Sequence, residues 1–339
     1  MEKVKGILIK GVGGLYEILP SESGRETVLS RARGIFRLEG ITPLAGDDVL
    51  IGPANSVEEE VLNKEERYAG WVITDILPRK NDMIRPPMAN LSHLFVVVPC
   101  ASPKPDLLMA DKLTCIAVHK NITPVFVINK MDMDPEMNEQ ICHTYALAGF
   151  QAFPLSAATG EGVAALENYL YSEAEKAQKA GSPMRAAFAG VSGAGKSTLM
   201  TRLYPDLQLK TNTVSAKIER GRHTTRHVEL YPVKAGEYTY FLADTPGFSM
   251  LDFTRFNFLT AEELPESFPE FAQCIGNCRY TKCTHTREEG CAVLEKVQRG
   301  EMDAGRQQNY IAIREEILKK PEWKRQKEAE GKAPGKRRR

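Results

Sequence analysis

The order of three short motifs constrains the fold of this chain more than any other feature of its sequence. Asn129–Asp132 (NKMD) comes first, Gly190–Ser197 (GVSGAGKS) second and Asp244–Gly247 (DTPG) last. In an ordinary G domain the glycine-rich phosphate loop opens the series, and the NKxD motif comes after DxxG. The order found here predicts a G domain that is circularly permuted, as if its chain had been cut open and rejoined elsewhere.

Composition and apolar patterning divide the chain into three regions. Its 339 residues, 42% of them hydrophobic, can form two or three cores. We predict a multidomain protein with an N-terminal β-barrel (OB-fold) over residues 1–70, a central α/β circularly permuted P-loop G domain over residues 71–258, and a C-terminal mainly α zinc-binding domain with a helical basic tail over residues 259–339. The start resembles no secretory signal and no apolar run could span a bilayer, so we expect a cytoplasmic protein without membrane contact.

The first region consists of short strand candidates separated by turn-forming residues, at residues 4–10, 14–19, 26–38 and 47–52. Such strands suit a small barrel, for which the OB-fold is the commonest choice. Arg31, Arg33 and Arg37 are separated by even steps, so in an extended strand they would point to one face. That face is either an ordinary solvated surface or an RNA contact.

The central region alternates apolar strand candidates with helical segments, which is typical of a mostly parallel α/β sheet. Strands are predicted at residues 93–99, 123–129, 151–156, 185–190, 226–233 and 238–244. Helices are predicted at residues 105–120, 135–149, 161–175 and 197–204. The last two strands flank a short turn and should form an antiparallel hairpin. Six strands is the number expected of a G domain.

The glycine-rich run fits GxxxxGK followed by Ser, between a strand and a helix, as a phosphate loop requires. Its small residues allow the backbone amides to approach and wrap a β-phosphate. Lys196 would reach the β- and γ-phosphate oxygens, and Ser197 would ligate Mg²⁺. The motif predicts a nucleoside triphosphate site but does not specify the base.

The NKMD motif specifies guanine. The Asp132 carboxylate can accept hydrogen bonds from guanine N1 and N2, which adenine cannot offer, and the stem of Lys130 would pack on the purine. Ser156–Ala157, further along the chain, offers its backbone to guanine O6. We expect the nucleotide to contact Asn129, Lys130, Met131, Asp132, Ser156, Ala157, Gly190, Val191, Ser192, Gly193, Ala194, Gly195, Lys196, Ser197 and Thr198.

The residues around DTPG predict how hydrolysis is arranged. Asp244 can hold Mg²⁺ through water, and the Gly247 amide can sense the γ-phosphate. Between the phosphate-loop helix and this motif lies a polar switch segment, in which Thr225, or else Thr224, would complete the Mg²⁺ shell.

Phe248 follows Gly247 where Ras-like enzymes have a glutamine that orients the attacking water. Intrinsic hydrolysis should therefore be slow. His223 is the best candidate to orient water, although a histidine among arginines could instead contact phosphate.

Four potential metal ligands lie close together along the chain in the third region: Cys278, Cys283, His285 and Cys291. Three thiolates and one imidazole form a complete tetrahedral set for zinc, so the site should be structural. Cys274 is a fifth candidate, and an exchange with one of the four remains open. The clustering of cysteines favours a metal in a reducing compartment over disulfides.

The C-terminal end is strongly basic. Residues 319–339 contain ten Lys or Arg and three Glu, a net charge of +7, which leaves −6 for the rest of a chain whose total is +1. This tail is either a solvated disordered end or an arm that contacts nucleic-acid phosphates.

Together these motifs resemble those of the small ribosomal subunit-dependent GTPase A family. The resemblance rests on the motif order, Arg85-Pro86, Ala89-Asn90, the switch run 221–225 (GRHTT), DTPGF and the Cys-x4-Cys-x-His-x5-Cys cluster, and it extends to about residue 318. Leu91-Ser92 departs from the Val-Asp that family members more often have, and touches no inferred ligand.

The resemblance implies a GTP hydrolase that binds the 30S subunit and its 16S rRNA, acts in late maturation of that subunit, and is stimulated by it. It implies GTP/GDP, Mg²⁺ and one structural Zn²⁺ as bound groups, and we expect a monomer. Two other interpretations remain: a non-catalytic GTP-dependent RNA-binding scaffold, which keeps every motif, and an ATP-using P-loop enzyme in which NKMD is accidental.

Overall fold

The computed structural model of the chain describes residues 3–21, 26–53, 70–84, 86–205, 228–244, 253 and 258–319. Its N-terminal part is a five-stranded barrel built from β1 (Val4–Val12), β2 (Leu15–Pro20), β3 (Val28–Ala32), β4 (Asp48–Pro53) and β5 (Trp71–Ile76). Strands pair in the order β1-β2-β3-β5-β4, and β4 pairs again with β1, which closes the barrel. The predicted N-terminal barrel is therefore confirmed.

The strand β5 lies just past the boundary that we predicted at residue 70. It pairs in parallel with β3 and antiparallel with β4, so the barrel extends to residue 76. The sequence did not show this, because both of its partners are distant along the chain and a strand's partners cannot be read from its own pattern.

The three arginines of the barrel do not share a strand face, which corrects our prediction for residues 26–38. The strand β3 ends at Ala32, and the short helix α1 (Gly34–Leu38) follows, so Arg37 is helical and Arg33 lies between the two elements. The helical turn buries Phe36 against the barrel core, which an extended strand through the exposed Gly34 would not do.

The central part is a six-stranded α/β sheet. Its strands are β8 (His93–Pro99), β9 (Thr123–Asn129), β10 (Gln151–Leu155), β11 (Arg185–Ala189), β12 (Glu229–Ala235) and β13 (Tyr238–Asp244), and a small hairpin of β6 (Asp82–Ile84) and β7 (Pro87–Ala89) precedes them. Its helices are α2 (Leu107–His119), α3 (Pro135–Leu147), α4 (Val163–Lys179) and α5 (Lys196–Leu203). Strands and helices agree closely with the predicted ranges.

The strand order β10-β9-β8-β11-β13-β12 explains how a permuted chain forms a complete G domain. The strand before the phosphate loop, β11, lies between β8, which comes earlier in the chain, and β13, which comes later. All of these pairs are parallel except the hairpin of β12 and β13. The carboxyl ends of the parallel strands therefore meet at one edge, where ligands bind in open α/β sheets.

The barrel and the G domain share a joint of buried polar contacts. Arg185, with 1% of its surface exposed, donates from Nη2 to Asp48 Oδ1 of β4 at 2.5 Å. Asn90 Nδ2 donates to the carbonyl of Gly46 at 2.9 Å. A Cβ on Gly46 would lie 2.1 Å from the Ala89 carbonyl oxygen, so no larger residue fits there. The joint is therefore closely packed as well as hydrogen-bonded.

The C-terminal part is mainly helical, with α6 (Ala292–Gln298), α7 (Ala304–Leu318) and two single 3₁₀ turns, Leu264–Ser267 and Pro269–Phe271. It packs on α2 of the G domain. Within the described ranges, every helix is too short or too polar to cross a lipid bilayer.

A buried ion cluster fastens α7 to α2. Arg306 donates from Nη1 to Asp111 and from Nε to Glu270 Oε1 at 2.6 Å. Asp111 also accepts from Asn309 Nδ2 at 2.7 Å and from the Tyr145 hydroxyl at 3.2 Å. Burial raises the pKa of Asp111 to about 6, although the Arg306 guanidinium opposes that shift. This contact is thus held by charge and hydrogen bonds inside an apolar shell.

Candidate functional site

The phosphate loop connects β11 to α5 and contains three glycines. Gly190, Gly193 and Gly195 all have positive φ, at 148°, 79° and 95°. A Cβ on Gly190 would lie 2.3 Å from the Val97 carbonyl oxygen, so only glycine allows β11 to turn there. Gly195 is the N-cap of α5, an eight-residue helix, and no side chain caps the first amides of this helix. Helix N-termini of this kind bind phosphate.

The side chains of the loop differ in their contacts and burial. Lys196 Nζ lies over the loop and donates to the carbonyls of Gly190 at 2.7 Å and Val191 at 2.9 Å. Ser192, Ser197 and Thr198 are exposed, whereas Ala194 is buried. The Lys196 ammonium is therefore held against the backbone of the loop, and the contacts of Lys196 with phosphate and of Ser197 with Mg²⁺ stay predictions.

Asn129 joins the three motifs that were predicted to form the nucleotide site. Its side chain is buried, and its Oδ1 accepts from the amides of Lys130 at 2.8 Å and Ala157 at 2.9 Å. Its Nδ2 donates to the Ala194 carbonyl at 2.8 Å. One amide group thus holds the NKMD motif, the phosphate loop and the Ser156–Ala157 segment together.

Lys130 extends over the phosphate loop. Its φ of 68° directs the side chain across the sheet edge, and Nζ donates to the Gly193 carbonyl at 2.8 Å and to the Ser102 carbonyl. Ser102 was not predicted as part of the site. Its place in a proline-rich loop directly after the parallel strand β8 could have indicated it.

The remaining base-contact candidates occupy the same edge. Asp132 is exposed and Met131 is half-buried, with its amide donating to the Leu155 carbonyl at 3.3 Å. Ser156 is buried, and its Oγ accepts from the Thr159 amide at 3.2 Å. The Ala157 amide is hydrogen-bonded to Asn129 in this structure, so its expected contact with guanine O6 stays a prediction.

Most of the predicted hydrolytic residues lie outside the described part of the chain. These are His223, Thr224, Thr225 and Gly247. The backbone of Asp244 ends β13 and pairs with Glu229, which places this residue at the same sheet edge as the phosphate loop. The roles of all five in Mg²⁺ binding and hydrolysis stay predictions.

The four predicted zinc ligands converge. The ligand atoms of Cys278, Cys283, His285 and Cys291 all lie within 4.8 Å of one another. His285 Nδ1 lies 3.6 Å from Cys278 Sγ and 3.5 Å from Cys291 Sγ. Tetrahedral coordination with Zn–S of about 2.3 Å and Zn–N of about 2.1 Å requires an S···N separation of about 3.6 Å. The donor set and its spacing therefore fit a zinc ion, and Cys274 is not part of the group.

Burial and hydrogen bonds define the surroundings of this cluster. Burial raises the pKa of the Cys283 thiol to about 12 and that of Cys291 above its usual value, so thiolates need a positive charge between them. The Ala292 amide donates to Cys278 Sγ at 3.4 Å, and Gln307 Nε2 donates to the His285 carbonyl at 3.2 Å. Through these contacts, residues of α6 and α7 orient the ligands Cys278 and His285.

The amino-acid sequence matches two related family profiles. The profile described as RsgA GTPase spans residues 76–254, and that described as RsgA N-terminal domain spans residues 5–59. The first covers more than half of the chain. This chain belongs to the RsgA GTPase family. It is accordingly a GTP hydrolase that uses GTP and releases GDP.

Similar proteins agree with the family along nearly the whole chain. Relatives named Small ribosomal subunit biogenesis GTPase RsgA, from Caldanaerobacter subterraneus subsp. tengcongensis and from Geobacillus sp., are each 36% identical over 321 and 324 residues. The matches cover 94% of this chain and 98% and 99% of the relatives.

Two solved structures share the fold. YjeQ from Thermotoga maritima has a TM-score of 0.72 at 27% identity, over 94% of this chain and 100% of that one. YloQ, described as a circularly permuted GTPase, has a TM-score of 0.69 at 28% identity, over 94% and 97%. The predicted circular permutation is therefore confirmed.

Proposed function

We propose that this GTPase acts in the late maturation of the small ribosomal subunit. It binds the 30S particle and its 16S rRNA as a cytoplasmic monomer, and the particle stimulates hydrolysis of GTP to GDP and phosphate. The observation that supports the partner is the name shared by relatives that match 94% of this chain. The convergence of three guanine-nucleotide motifs on Asn129 supports the chemistry.

In the proposed mechanism, Asp132 and the Ser156–Ala157 segment select guanine, and the phosphate-loop amides with Lys196 hold the phosphates. Ser197 and Thr225 would hold Mg²⁺, which would supply positive charge to neutralise the β- and γ-phosphates. His223 orients the attacking water when the ribosomal particle is bound. Cys278, Cys283, His285 and Cys291 would hold a structural zinc ion, which would stabilise the C-terminal domain.

The permutation gives the switches a direct connection to the flanking domains. The segment after DTPG runs into the C-terminal domain that carries the zinc ligands, the first of which is Cys278. We propose that GTP holds the barrel and the zinc domain in an arrangement that binds rRNA, and that hydrolysis releases it. Equal affinities of the GTP-analogue and GDP forms for 30S subunits would contradict this step, because a ligand with equal affinity for two states shifts neither.

Turnover of GTP by the purified protein, alone and with purified 30S subunits, tests the function. We expect stimulation by 30S subunits, none by 50S subunits, and no turnover of ATP. The His223→Ala variant should bind GTP normally yet lose most of the stimulation. GTP binding without any stimulated turnover would favour the non-catalytic scaffold instead.

A further inference from the structure

Arg202 contacts the segment that was assigned to the base, although it lies at the opposite end of α5 from the phosphates. Its Nε donates to the Ala157 carbonyl at 2.6 Å, and its Nη2 donates to the Ala158 carbonyl at 2.5 Å. The helix α5 begins with Lys196 and Ser197, so one short helix reaches both the phosphate loop and the base-reading segment. No motif singles out this arginine.

The two hydrogen bonds fix the orientation of a peptide plane. In a trans peptide the C=O and the following N–H point in opposite directions. Holding the Ala157 carbonyl on Arg202 therefore turns the Ala158 N–H to the side away from α5. From the other side, Asn129 Oδ1 accepts from the Ala157 amide at 2.9 Å. The segment is thus held by Asn129 and Arg202 together, with the Ala158 amide directed away from the arginine.

The local packing is specific for a planar guanidinium. Gly160 has φ of +94°, and a Cβ there would lie 2.7 Å from Arg202 Nη1, so the turn after Ala158 comes close to the arginine without contact from a side chain. A lysine carries its donors on one ammonium nitrogen and cannot present the guanidinium fork to two successive carbonyls. The fork is what makes both bonds possible at once.

We propose that Arg202 is a positioning residue for guanine recognition, which acts by orienting the Ala158 amide donor toward the purine oxygen O6. The inference rests on the proposed assignment of Ser156–Ala157 to the base. Amide donors match a 6-oxo group and are mismatched with the 6-amino group of adenine. Arg202 therefore influences which base is accepted, in addition to how tightly any nucleotide is bound.

Binding of three diphosphates by the full chain separates positioning from a merely structural role. GDP carries both O6 and the 2-amino group, inosine diphosphate carries O6 only, and 2-aminopurine riboside diphosphate carries the 2-amino group only. For Arg202→Met we expect binding of GDP and of inosine diphosphate to weaken roughly 5- to 20-fold, from the loss of two hydrogen bonds. Binding of the 2-aminopurine nucleotide should change less than about 2-fold.

Arg202→Lys should give the same pattern with a smaller loss of affinity. Lys179→Met, at an exposed position at the end of α4, is the control for removing a surface cation. Urea denaturation midpoints establish that each variant is folded. Equal weakening of all three nucleotides, or no weakening, would overturn the proposal. Because the assay contains no ribosomal particle, its result is independent of the 30S assignment. Wild-type preference for GDP over the 2-aminopurine nucleotide shows separately that the base is read.

Discussion

Asn129 illustrates how much of the site depends on single side chains. The sequence placed it at the start of a base-reading motif, but the structure shows its side chain buried and bonded to the backbone of its own motif and of two other segments. The NKMD pattern was readable because it is local and follows an apolar strand. The contacts with Ala157 and Ala194 were not, because they join segments that are far apart along the chain.

Replacing Asp132 by asparagine should change the base preference from guanine to xanthine. Asp132 is exposed at the sheet edge, so its exchange should not disturb the fold. A carboxylate accepts hydrogen bonds from guanine N1–H and N2–H. The NH₂ group of an asparagine side chain would face the guanine N2 donor without bonding it. The same NH₂ group can donate to O2 of xanthine. We expect GDP affinity to fall roughly 10- to 100-fold, which corresponds to one unpaired polar contact, and xanthosine diphosphate affinity to rise.

Competition against a labelled guanine nucleotide measures this change. Glu136→Gln, which removes an exposed carboxylate from the first turn of α3, serves as the matched control and should leave both affinities unaltered. An Asp132→Asn protein that still prefers GDP over xanthosine diphosphate would contradict the assignment of the motif.

Removing one zinc ligand should release the metal, whereas removing the neighbouring buried cysteine should not. We expect Cys291→Ser to lower the bound zinc from about one ion per chain to near zero, because Cys291 is one of the four converging ligands. Cys274→Ser, a change of the same chemistry outside the group, should retain it. Metal content by atomic emission and the loss of thermal stability after chelation are the measurements, and zinc retained by Cys291→Ser would refute this ligand set.

At the scale of elements, the sequence predicted what is periodic and missed what depends on distant partners. Strands such as β8 and β9 were placed correctly because they are buried along almost their full length and therefore read as continuous apolar runs. The change from strand to helix at α1 was missed. The apolar pattern shows no clear break at Arg33-Gly34 that would mark the end of the strand. The ion pair of Arg306 with Asp111 was unpredictable, since 195 positions separate them.

Arg306→Met should be the most destabilising single change in the ion cluster. Arg306 is 3% exposed, and the variant would leave the Asp111 and Glu270 carboxylates buried without a cation. Breaking a buried pair in this way costs about 3–5 kcal/mol of unfolding free energy. Asp111→Asn should cost less, because the bond from Arg306 to Glu270 survives and burial already disfavours the Asp111 charge, as its pKa of about 6 indicates.

Urea denaturation followed by fluorescence gives the order of these effects. The matched control is Arg299→Met, which removes the arginine of the exposed pair with Glu301 and should leave the midpoint in place. If Arg306→Met unfolded at the same urea concentration as that control, the cluster would not hold α7 on α2.

At the scale of the whole molecule, one row of residues crosses from the nucleotide site to the barrel. The Cα partner of Asp244 in β12 is Glu229, and the Cα partner of Glu229 in β1 is Lys10. Lys10 Nζ also donates to Glu229 Oε2 at 2.7 Å, with about a quarter of each side chain exposed. Since β12 directly follows the first switch segment and β13 precedes the second, the barrel is joined to the hairpin that both switches flank.

This row predicts that the bound nucleotide affects the stability of the barrel strand β1. Lys10 is predicted to contribute to this coupling. In hydrogen exchange, the β1 amides should be more protected with a non-hydrolysable GTP analogue than with GDP. A partly exposed ion pair contributes roughly 0.2–1 kcal/mol, so Lys10→Met should reduce the difference in protection by up to about 5-fold. The exchanged pair Lys10→Glu with Glu229→Lys should restore it, because only the attraction and not the sign at each position matters. Identical protection of β1 in both nucleotide states of the wild-type protein would show that no signal passes along this row. If the exchanged pair failed to restore the difference in protection, the coupling would depend on the backbone pairing alone.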